Sequence, residues 1–152
     1  MFFLNLLYRN NSLVNRGFKE VITYSFISNE MHQLVDPNSK KILLKNPISD
    51  DMAVMRSSLW PGLIQSAKSN IRRGHHNARF FELGQCFKGT LVEDQVQKIA
   101  GIICGNRHDS QWSGSERAVD FFDAKSDVLA LLFHSKKDYT FEAGEHPALQ
   151  IG

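Results

Sequence analysis

Hydrophobic residues recur with a helical period between Met55 and Phe87, and the pattern changes to alternation near the end of this stretch. Leu59, Leu63 and Ala67 lie four residues apart, which places their side chains on one face of a helix. Trp60, Ile64 and Ile71 widen that apolar face. The stretch therefore predicts one helix that leads directly into one strand.

Turn and capping signals mark both ends of this helix. Ser57 or Ser58 can accept hydrogen bonds from the first free backbone N–H groups, and Pro61 suits the first turn. Gly74 can adopt the left-handed conformation that ends a helix. The alternating, aromatic-rich residues 78–87 then predict a strand.

The rest of the chain shows weaker patterns of the same two kinds. Residues 20–26 are β-branched and aromatic and predict a strand that turns Ile22, Tyr24 and Phe26 towards the core. We also expect a helix from Ser28 to Val35, strands at 40–45, 95–104 and 139–143, and a helix capped by Asp123. Locally paired strands with few crossover helices favour an α+β fold with an antiparallel sheet flanked by helices. We expect one domain over residues 1–152, with a helical lead-in over 1–14.

Composition narrows the class of protein but not its function. The chain has 152 residues, 42% of them hydrophobic and 22% charged, and a net charge of +2, values that are ordinary for a globular protein. Two cysteines, Cys86 and Cys104, are too few for a disulfide framework. The apolar residues 1–8 lack a basic leader and a cleavage site, and no apolar run approaches the roughly 20 residues of a membrane span. We therefore expect a soluble, cytoplasmic protein that does not bind a membrane.

Neither a phosphate loop nor a metal site is indicated by the local motifs. Gly84 and Gly89 have the spacing of a nucleotide-binding loop, but Thr90 stands where that motif needs lysine. The histidines lack the i, i+4 spacing that places two metal ligands on one helix face. Four of the chain's six histidines are the candidate ligands, namely His75, His76, His108 and His146.

Glu82 shares a strand face with Phe80 and Cys86, and two interpretations are open. Burial would make its carboxylate a candidate acid or base of a small enzyme, with a histidine as its partner. A structural carboxylate that pairs with an arginine or a backbone N–H is the favoured alternative.

One basic cluster lies near the end of the central helix. It consists of Lys68, Arg72, Arg73 and Arg79, with His75 and His76 close by. Such a face can contact RNA phosphates with a salt-dependent affinity, so a stand-alone RNA-binding module is one hypothesis. A merely solvated helix face explains the same composition.

Several segments, taken in order, resemble a known family. The segments are 16–26 (RGFKEVITYSF), 46–49 (NPIS), 55–63 (MRSSLWPGL), 81–84 (FELG) and 120–125 (DFFDAK), with Asn70, Phe87 and Gly105 between them. Together they resemble the synthetase-like core of the bacterial phenylalanine–tRNA ligase beta chain, over roughly residues 15–152. The sequence departs from the family pattern at Ala124, Ser126 and residues 150–151.

The resemblance implies a degenerate class II aminoacyl-tRNA synthetase fold without catalytic, cofactor-binding or metal-binding residues. In that family phenylalanine is activated on the alpha chain of an α2β2 complex that uses ATP and Mg²⁺ and acts on tRNA. Residues 79–87 resemble the first strand of the ATP-binding hairpin, which in active enzymes is followed by arginine and glutamate. Here the strand runs into Phe87, Lys88, Gly89 and Thr90.

The resemblance implies an alpha-chain partner, and the basic cluster offers candidate contacts with RNA. Candidate contacts with the alpha chain are Trp60, Leu63, Ile64, Ile71 and Phe81, and candidate RNA contacts are Lys68, Arg72, Arg73 and Arg79. Because the family's beta chain is much longer, we expect this chain to be a fragment whose sheet is incomplete at its C-terminal end. An unpaired sheet edge there favours self-association by strand addition.

Overall fold

The computed structural model describes residues 11–107, 112, 117–133 and 139–149 of the chain. Residues 11–15 are helical and are called α1. The elements that follow are β1 (Lys19–Glu20), β2 (Phe26–Ile27), α2 (Asn29–Val35), β3 (Val54–Met55), α3 (Trp60–Arg72), β4 (Ala78–Phe87), β5 (Gln95–Cys104) and α4 (Phe121–Leu132). Short 3-10 helices occupy Asp50–Met52 and Val92–Asp94.

The strands form two small sheets. One has the order β1-β4-β5, and the other pairs β2 with β3 in antiparallel orientation. Residues 88–94 join β4 to β5, a connection too short for the crossover that parallel neighbours need, so these two strands form an antiparallel hairpin. The predicted α+β fold with sheets flanked by helices is confirmed, and both hairpin strands have the predicted bounds. The pairing of β1 with β4 is parallel, with Lys19 opposite Phe80, which sequence reasoning did not anticipate.

The described residues belong to two compact units. Unit 1 takes its residues from 11–21, 66–81 and 101–140, and unit 2 from 22–65, 82–100 and 141–149. The elements α3, β4 and β5 each contribute residues to both units. The predicted lead-in over residues 1–14 falls mostly outside the described residues.

Local hydrogen bonds set both ends of α3. The hydroxyl of Ser58 accepts a hydrogen bond of 3.2 Å from the N–H of the first residue of the helix. At the other end Gly74 has a φ of +90°. The N–H groups of Gly74 and His75 donate to the carbonyls of Ile71 and Asn70, each over 3.0 Å. This pair of bonds is the Schellman motif, so the predicted left-handed stop at Gly74 is confirmed.

The predicted helix face supplies core residues to each unit. In unit 2 the fully buried side chains include Val54, Leu59, Leu63 and Cys86, and in unit 1 the buried side chains include Phe18, Ala67, Ala78 and Phe81. The stripe of Leu59, Leu63 and Ala67 is thus buried along its whole length.

The strand predicted over residues 20–26 is interrupted, because β1 ends at Glu20 and β2 begins at Phe26. Ile22 and Tyr24 are 92% and 70% exposed, so the expectation that they face the core is wrong. The physical reason lies in Thr23, whose N–H and hydroxyl both bind the carboxylate of Glu82. These bonds replace a sheet ladder at this point and turn the neighbouring side chains outwards.

Two further predicted strands do not form. Residues 40–45 contribute only an isolated antiparallel bridge between Leu43 and Val54, and the partner strand β3 is itself only two residues long. Residues 139–143 are not part of any strand. Their alternating pattern is compatible with a strand, but neither of the two described sheets includes them.

The start of α4 also differs from the prediction. Its N-cap is Asp120, whose carboxylate accepts a 3.0 Å hydrogen bond from the N–H of Asp123. The carboxylate of Asp123 accepts in return a 3.1 Å bond from the N–H of Asp120. Asp123 is therefore the third helical residue of a capping box and not the cap. In the part of the chain that the structure describes, no helix is long and apolar enough to cross a membrane.

Candidate functional site

A closed polar network lies inside unit 2 and centres on Arg56 and Glu82. The guanidinium of Arg56 donates to Glu82 Oε1 over 2.7 Å, to Thr23 Oγ1 over 3.0 Å and to the carbonyl of Gln85 over 2.9 Å. The Thr23 hydroxyl donates in turn to Glu82 Oε2 over 2.7 Å. The three side chains form a closed triangle of charge-assisted hydrogen bonds in which both oxygens of Glu82 are used.

Two glycines make room for this network. A side chain at Gly84 would overlap the Arg56 guanidinium and come within 3.1 Å of Leu59, and one at Gly62 would overlap Thr23. This explains the glycine inside β4, which sequence reasoning assigned to a close approach of another group to the sheet. The network is therefore tightly enclosed.

The geometry assigns Glu82 a structural role. Its carboxylate is buried and saturated by Arg56 and Thr23, which is the alternative that sequence reasoning favoured over an acid–base role. At the end of β4, the N–H of Lys88 donates to the carbonyl of Asp94 over 3.0 Å.

Unit 1 contains a polar cavity of about 900 Å³, here called the arginine groove. Its charged lining consists of five cations and three carboxylates, so the groove has a surplus of two positive charges. These residues are Arg16, Lys19, Arg79, Arg107, Arg117, Asp120, Asp123 and Asp127. Asn15, Asn70, Asn77, Asn106, His75, Ser126 and Phe122 line it as well.

At one side of the arginine groove, Asp127 of α4 holds two arginines. Its buried carboxylate lies 2.5 Å from Arg16 Nε and 3.3 Å from Arg79 Nη1. The guanidinium of Arg79 also lies over the ring of Phe18, 5.6 Å from its centroid. Arg16 makes a further bond of 2.7 Å to the Ser126 hydroxyl. Since Arg16 and Asp127 are 111 residues apart, this contact joins distant parts of the chain within unit 1.

At the other side, Asp123 and Asp120 hold Arg117. The guanidinium of Arg117 binds both oxygens of Asp123 over 2.9 Å and one oxygen of Asp120 over 2.6 Å. The backbone N–H of Asp120, together with Arg117, lowers the pKa of the Asp123 carboxyl, and the hydrogen bonds that Arg117 donates to Asp123 raise the pKa of Arg117. Arg107 lies 3.6 Å from Asp123 and its side chain is half exposed. The charge of Arg117 is therefore neutralised by Asp120 and Asp123, whereas Arg107 makes only a long ion pair with Asp123.

Unit 2 has a second, smaller cavity of about 310 Å³ beside the start of α3. It is lined by Asp36, Trp60, Lys98 and His146, among others. The rings of Trp60 and His146 meet edge to face with centroids 5.4 Å apart. The Lys98 ammonium donates to the carbonyl of Ser57 over 3.2 Å, so its charge is partly used inside the unit.

His32 of α2 is a buried titratable residue that sequence reasoning missed. Its Nε2 lies 3.1 Å from the Ser39 hydroxyl, and its Nδ1 is buried and has no hydrogen-bond partner among the described residues. Burial, helped by Lys41 and opposed by Asp36, lowers the pKa of His32. Its only sequence signal was a position in a short amphipathic helix. Among the described residues, no group of three or more His, Cys, Asp or Glu side chains is arranged to hold a metal ion.

The structure separates the predicted alpha-chain contacts into buried and accessible residues. Leu63 and Phe81 are fully buried in their units and present no surface to a partner. Ile64 and Ile71 are 40% and 39% exposed, and Trp60 is half-buried against His146.

The predicted RNA contacts also divide. Lys68, Arg72 and Arg73 are exposed, whereas Arg79 is paired with Asp127 inside the arginine groove. Of the groove's five cations, sequence reasoning singled out only Arg79. The other cations are far apart along the chain, so no local sequence motif indicates the groove.

A family model for the phenylalanyl tRNA synthetase beta chain CLM domain matches residues 8–152. The chain belongs to this family. Similar curated proteins are the phenylalanine–tRNA ligase beta subunits of Pseudomonas putida, at 49% identity, and Coxiella burnetii, at 43%, each over 143 residues. Each match covers 92% of this chain and 18% of the relative, so the chain spans under a fifth of the relatives' length. The resemblance on which the sequence prediction rested is confirmed.

Solved structures show that the fold is that of class II tRNA synthetases. Two structures of pyrrolysyl tRNA synthetase from Desulfitobacterium hafniense match with TM-scores of 0.64 and 0.63 at 14% sequence identity. The aligned regions cover 87% and 86% of this chain, and 44% and 46% of the respective solved chains. At this identity the likeness concerns the fold alone.

Proposed function

We propose that this chain is a non-catalytic domain of the beta subunit of phenylalanine–tRNA ligase. In this proposal it packs against the catalytic alpha chain of a cytoplasmic α2β2 complex and helps to position tRNA. The observation that carries the proposal is the identity of 43–49% with curated beta subunits over 92% of the chain. ATP and Mg²⁺ would be used by the complete complex, at the alpha chain.

The geometry of unit 2 supports a non-catalytic role. Adenylate formation develops negative charge at a phosphate, and a site without a positioned cation loses several kcal/mol of transition-state stabilisation. The guanidinium of Arg56 donates from Nε and Nη1 to Glu82, Thr23 and the carbonyl of Gln85. These two nitrogen atoms are not available to a phosphate unless the network breaks.

ATP–pyrophosphate exchange in the presence of phenylalanine tests this proposal. We expect no exchange above background from the isolated chain, and exchange from a complete ligase assayed in parallel as the positive control. Exchange by the isolated chain that depends on phenylalanine would contradict the proposal. An Arg56→Met variant would then show whether the buried network contains the site.

The accessible part of α3 is the proposed contact with the alpha chain. Ile64 in unit 2 is an exposed, branched apolar residue whose neighbour Leu63 is fixed in the core, so its backbone position is well defined. Burying such a side chain contributes about 1.5–3 kcal/mol. Ile64 is therefore a suitable position at which to test the proposed contact by mutation.

A stand-alone RNA-binding module is not favoured. Proteins of 43–49% identity are beta subunits of which this chain matches only 18%, which favours a part of a larger assembly. Any RNA contact is then one that this domain contributes to the ligase.

A further inference from the structure

We infer that the arginine groove of unit 1 binds the phosphodiester backbone of RNA, with Phe122 stacking against an unpaired base. This inference rests on the proposed function, because it names the surface by which the domain would contact tRNA. It places the RNA contact on residues of β1, α4 and the segment that follows β5, and not on the exposed cluster of α3.

The surplus positive charge of the groove can be assigned to two residues. Asp127 and Asp123 neutralise much of the charge of Arg16, Arg79 and Arg117. Lys19 is exposed and makes no ion pair with any described residue. Arg107 is half exposed and reaches Asp123 only at 3.6 Å. Lys19 and Arg107 are thus the cations with capacity for an external anion.

The ion pairs behind these two cations hold the groove in place. The backbone N–H of Arg107 donates a 2.8 Å hydrogen bond to the carbonyl of Arg117. The side chain of Arg117 is bonded in turn to Asp120 and Asp123 at the start of α4. A cation on a positioned backbone loses less conformational entropy on binding than one on a free surface loop. The groove therefore presents its charges in a defined arrangement.

Phe122 adds a feature that charge alone does not explain. It lines the groove, lies on the first turn of α4 and is 73% exposed. Proteins that bind single-stranded nucleic acid combine a positive groove with aromatic rings on which bases stack. A site for a free phosphate ion needs neither the aromatic ring nor a cavity of about 900 Å³.

The α3 cluster is a weaker candidate for the same role. Lys68, Arg72 and Arg73 are exposed, but none of them lines either of the two cavities described above, and no exposed aromatic ring lies between them. Such a face attracts any polyanion without selecting single-stranded RNA.

The test measures the binding of a fluorescein-labelled phenylalanine tRNA transcript to the chain by fluorescence anisotropy between about 50 and 200 mM salt. The groove variant Lys19→Gln/Arg107→Gln is compared with Lys40→Gln/Lys45→Gln, which removes two exposed lysines from unit 2. We expect the groove variant to lose at least about tenfold in affinity and to reduce the salt slope by about 0.7–0.9 for each lost contact. The control variant should keep most of the affinity, and inorganic phosphate at equal ionic strength should not displace the tRNA.

A second pair of variants tests stacking without changing charge. Phe122→Ala should weaken binding at least about fivefold, the lower end of the effect of removing one stacking ring. Tyr24→Ala removes an exposed ring of unit 2, which does not line the groove, and should have little effect. Because both side chains are largely exposed, neither change should unfold the chain.

Three results would overturn the inference. They are no tRNA binding by the unmodified chain at low salt, equal losses in the groove and control variants, and loss of binding only in a Lys68→Gln/Arg72→Gln/Arg73→Gln variant. A co-purification experiment with the groove variant and the alpha chain distinguishes failure of this inference from failure of the proposed function. If the alpha chain still binds, a failed groove leaves the proposed function standing.

Discussion

Arg56 Nη1 lies 2.7 Å from Glu82 Oε1, and the two side chains are only 5% and 3% exposed. Removing two charges from water is costly, and their attraction repays that cost only when further hydrogen bonds satisfy both groups. Here Thr23 and the carbonyl of Gln85 supply those bonds. The pair therefore stabilises the fold as long as both partners are present.

Breaking the pair from one side should be strongly destabilising. We expect Glu82→Ala to lower the free energy of unfolding by about 3–5 kcal/mol, because it leaves the Arg56 guanidinium buried without a counter-charge. Urea unfolding followed by circular dichroism measures the change. Glu30→Ala, at an exposed position on α2, should cost well under half as much. A double variant Arg56→Met/Glu82→Leu should be less destabilised than Glu82→Ala, and additive losses would contradict this explanation.

The space at Gly84 gives a second prediction. A methyl group there overlaps the Arg56 guanidinium, which cannot move away without breaking its bonds to Glu82 and Thr23. We expect Gly84→Ala to destabilise the chain by about 1–3 kcal/mol, the usual cost of overpacking. Gly144→Ala is the matched control, since nothing lies within 4 Å of the added carbon. Equal stability of the two variants in thermal unfolding would show that the network can shift at no cost.

His32 should make stability depend on pH. Burial lowers its pKa in the folded chain from the unfolded value of 6.5, so the unfolded state binds the proton more readily. The contribution of neutral His32 to stability is complete above pH 6.5 and is lost as the pH falls from 6.5 through the lowered pKa. We expect the melting temperature to fall between about pH 7 and 5 by more in the unmodified chain than in His32→Leu.

The control for this experiment is His76→Gln, an exposed substitution in the loop after α3. The fall in melting temperature between the two pH values should be close to that of the unmodified chain. A His32→Leu variant with the same pH dependence as the unmodified chain would show that other groups dominate.

The outer edge of β5 gives a prediction about self-association. In the order β1-β4-β5, β5 is an edge of the described sheet, and it is ten residues long with one charged residue, Lys98. Long edges with few charges pair with other chains. We expect light scattering at micromolar concentration to show dimers that Gln95→Lys/Gln97→Lys shifts towards monomer. Gln33→Lys on α2 is the control, and a monomeric unmodified chain would contradict the prediction.

The sequence predicted elements whose signals are local. The bounds of β4 and β5 and the stop of α3 at Gly74 depend on alternation and on one glycine, and all are confirmed. The strand at 20–26 failed because Thr23 binds Glu82, a residue 59 positions away, in preference to a sheet ladder. A hydrogen bond over that separation leaves no trace in a local hydrophobic pattern.

The candidate sites also differ in whether their signals are local in the sequence. The strand face of Glu82 made it a candidate for burial and for pairing with an arginine, although its partner Arg56 could not be named. The arginine groove was missed, because its ion pairs join residues as far apart as Arg16 and Asp127. The exposed cluster of α3, by contrast, was found from its local density of charge.

The most direct test of the central claim is co-purification of this chain with a tagged alpha chain of phenylalanine–tRNA ligase. We expect the unmodified chain to be retained in near-stoichiometric amount and Ile64→Asp to be lost from the complex while its circular dichroism spectrum is unchanged. Leu34→Asp, which places the same charge at an exposed apolar position of α2, should still bind. Failure of the unmodified chain to bind the alpha chain, or equal binding by Ile64→Asp, would contradict a role for this domain as a partner of the alpha chain through α3.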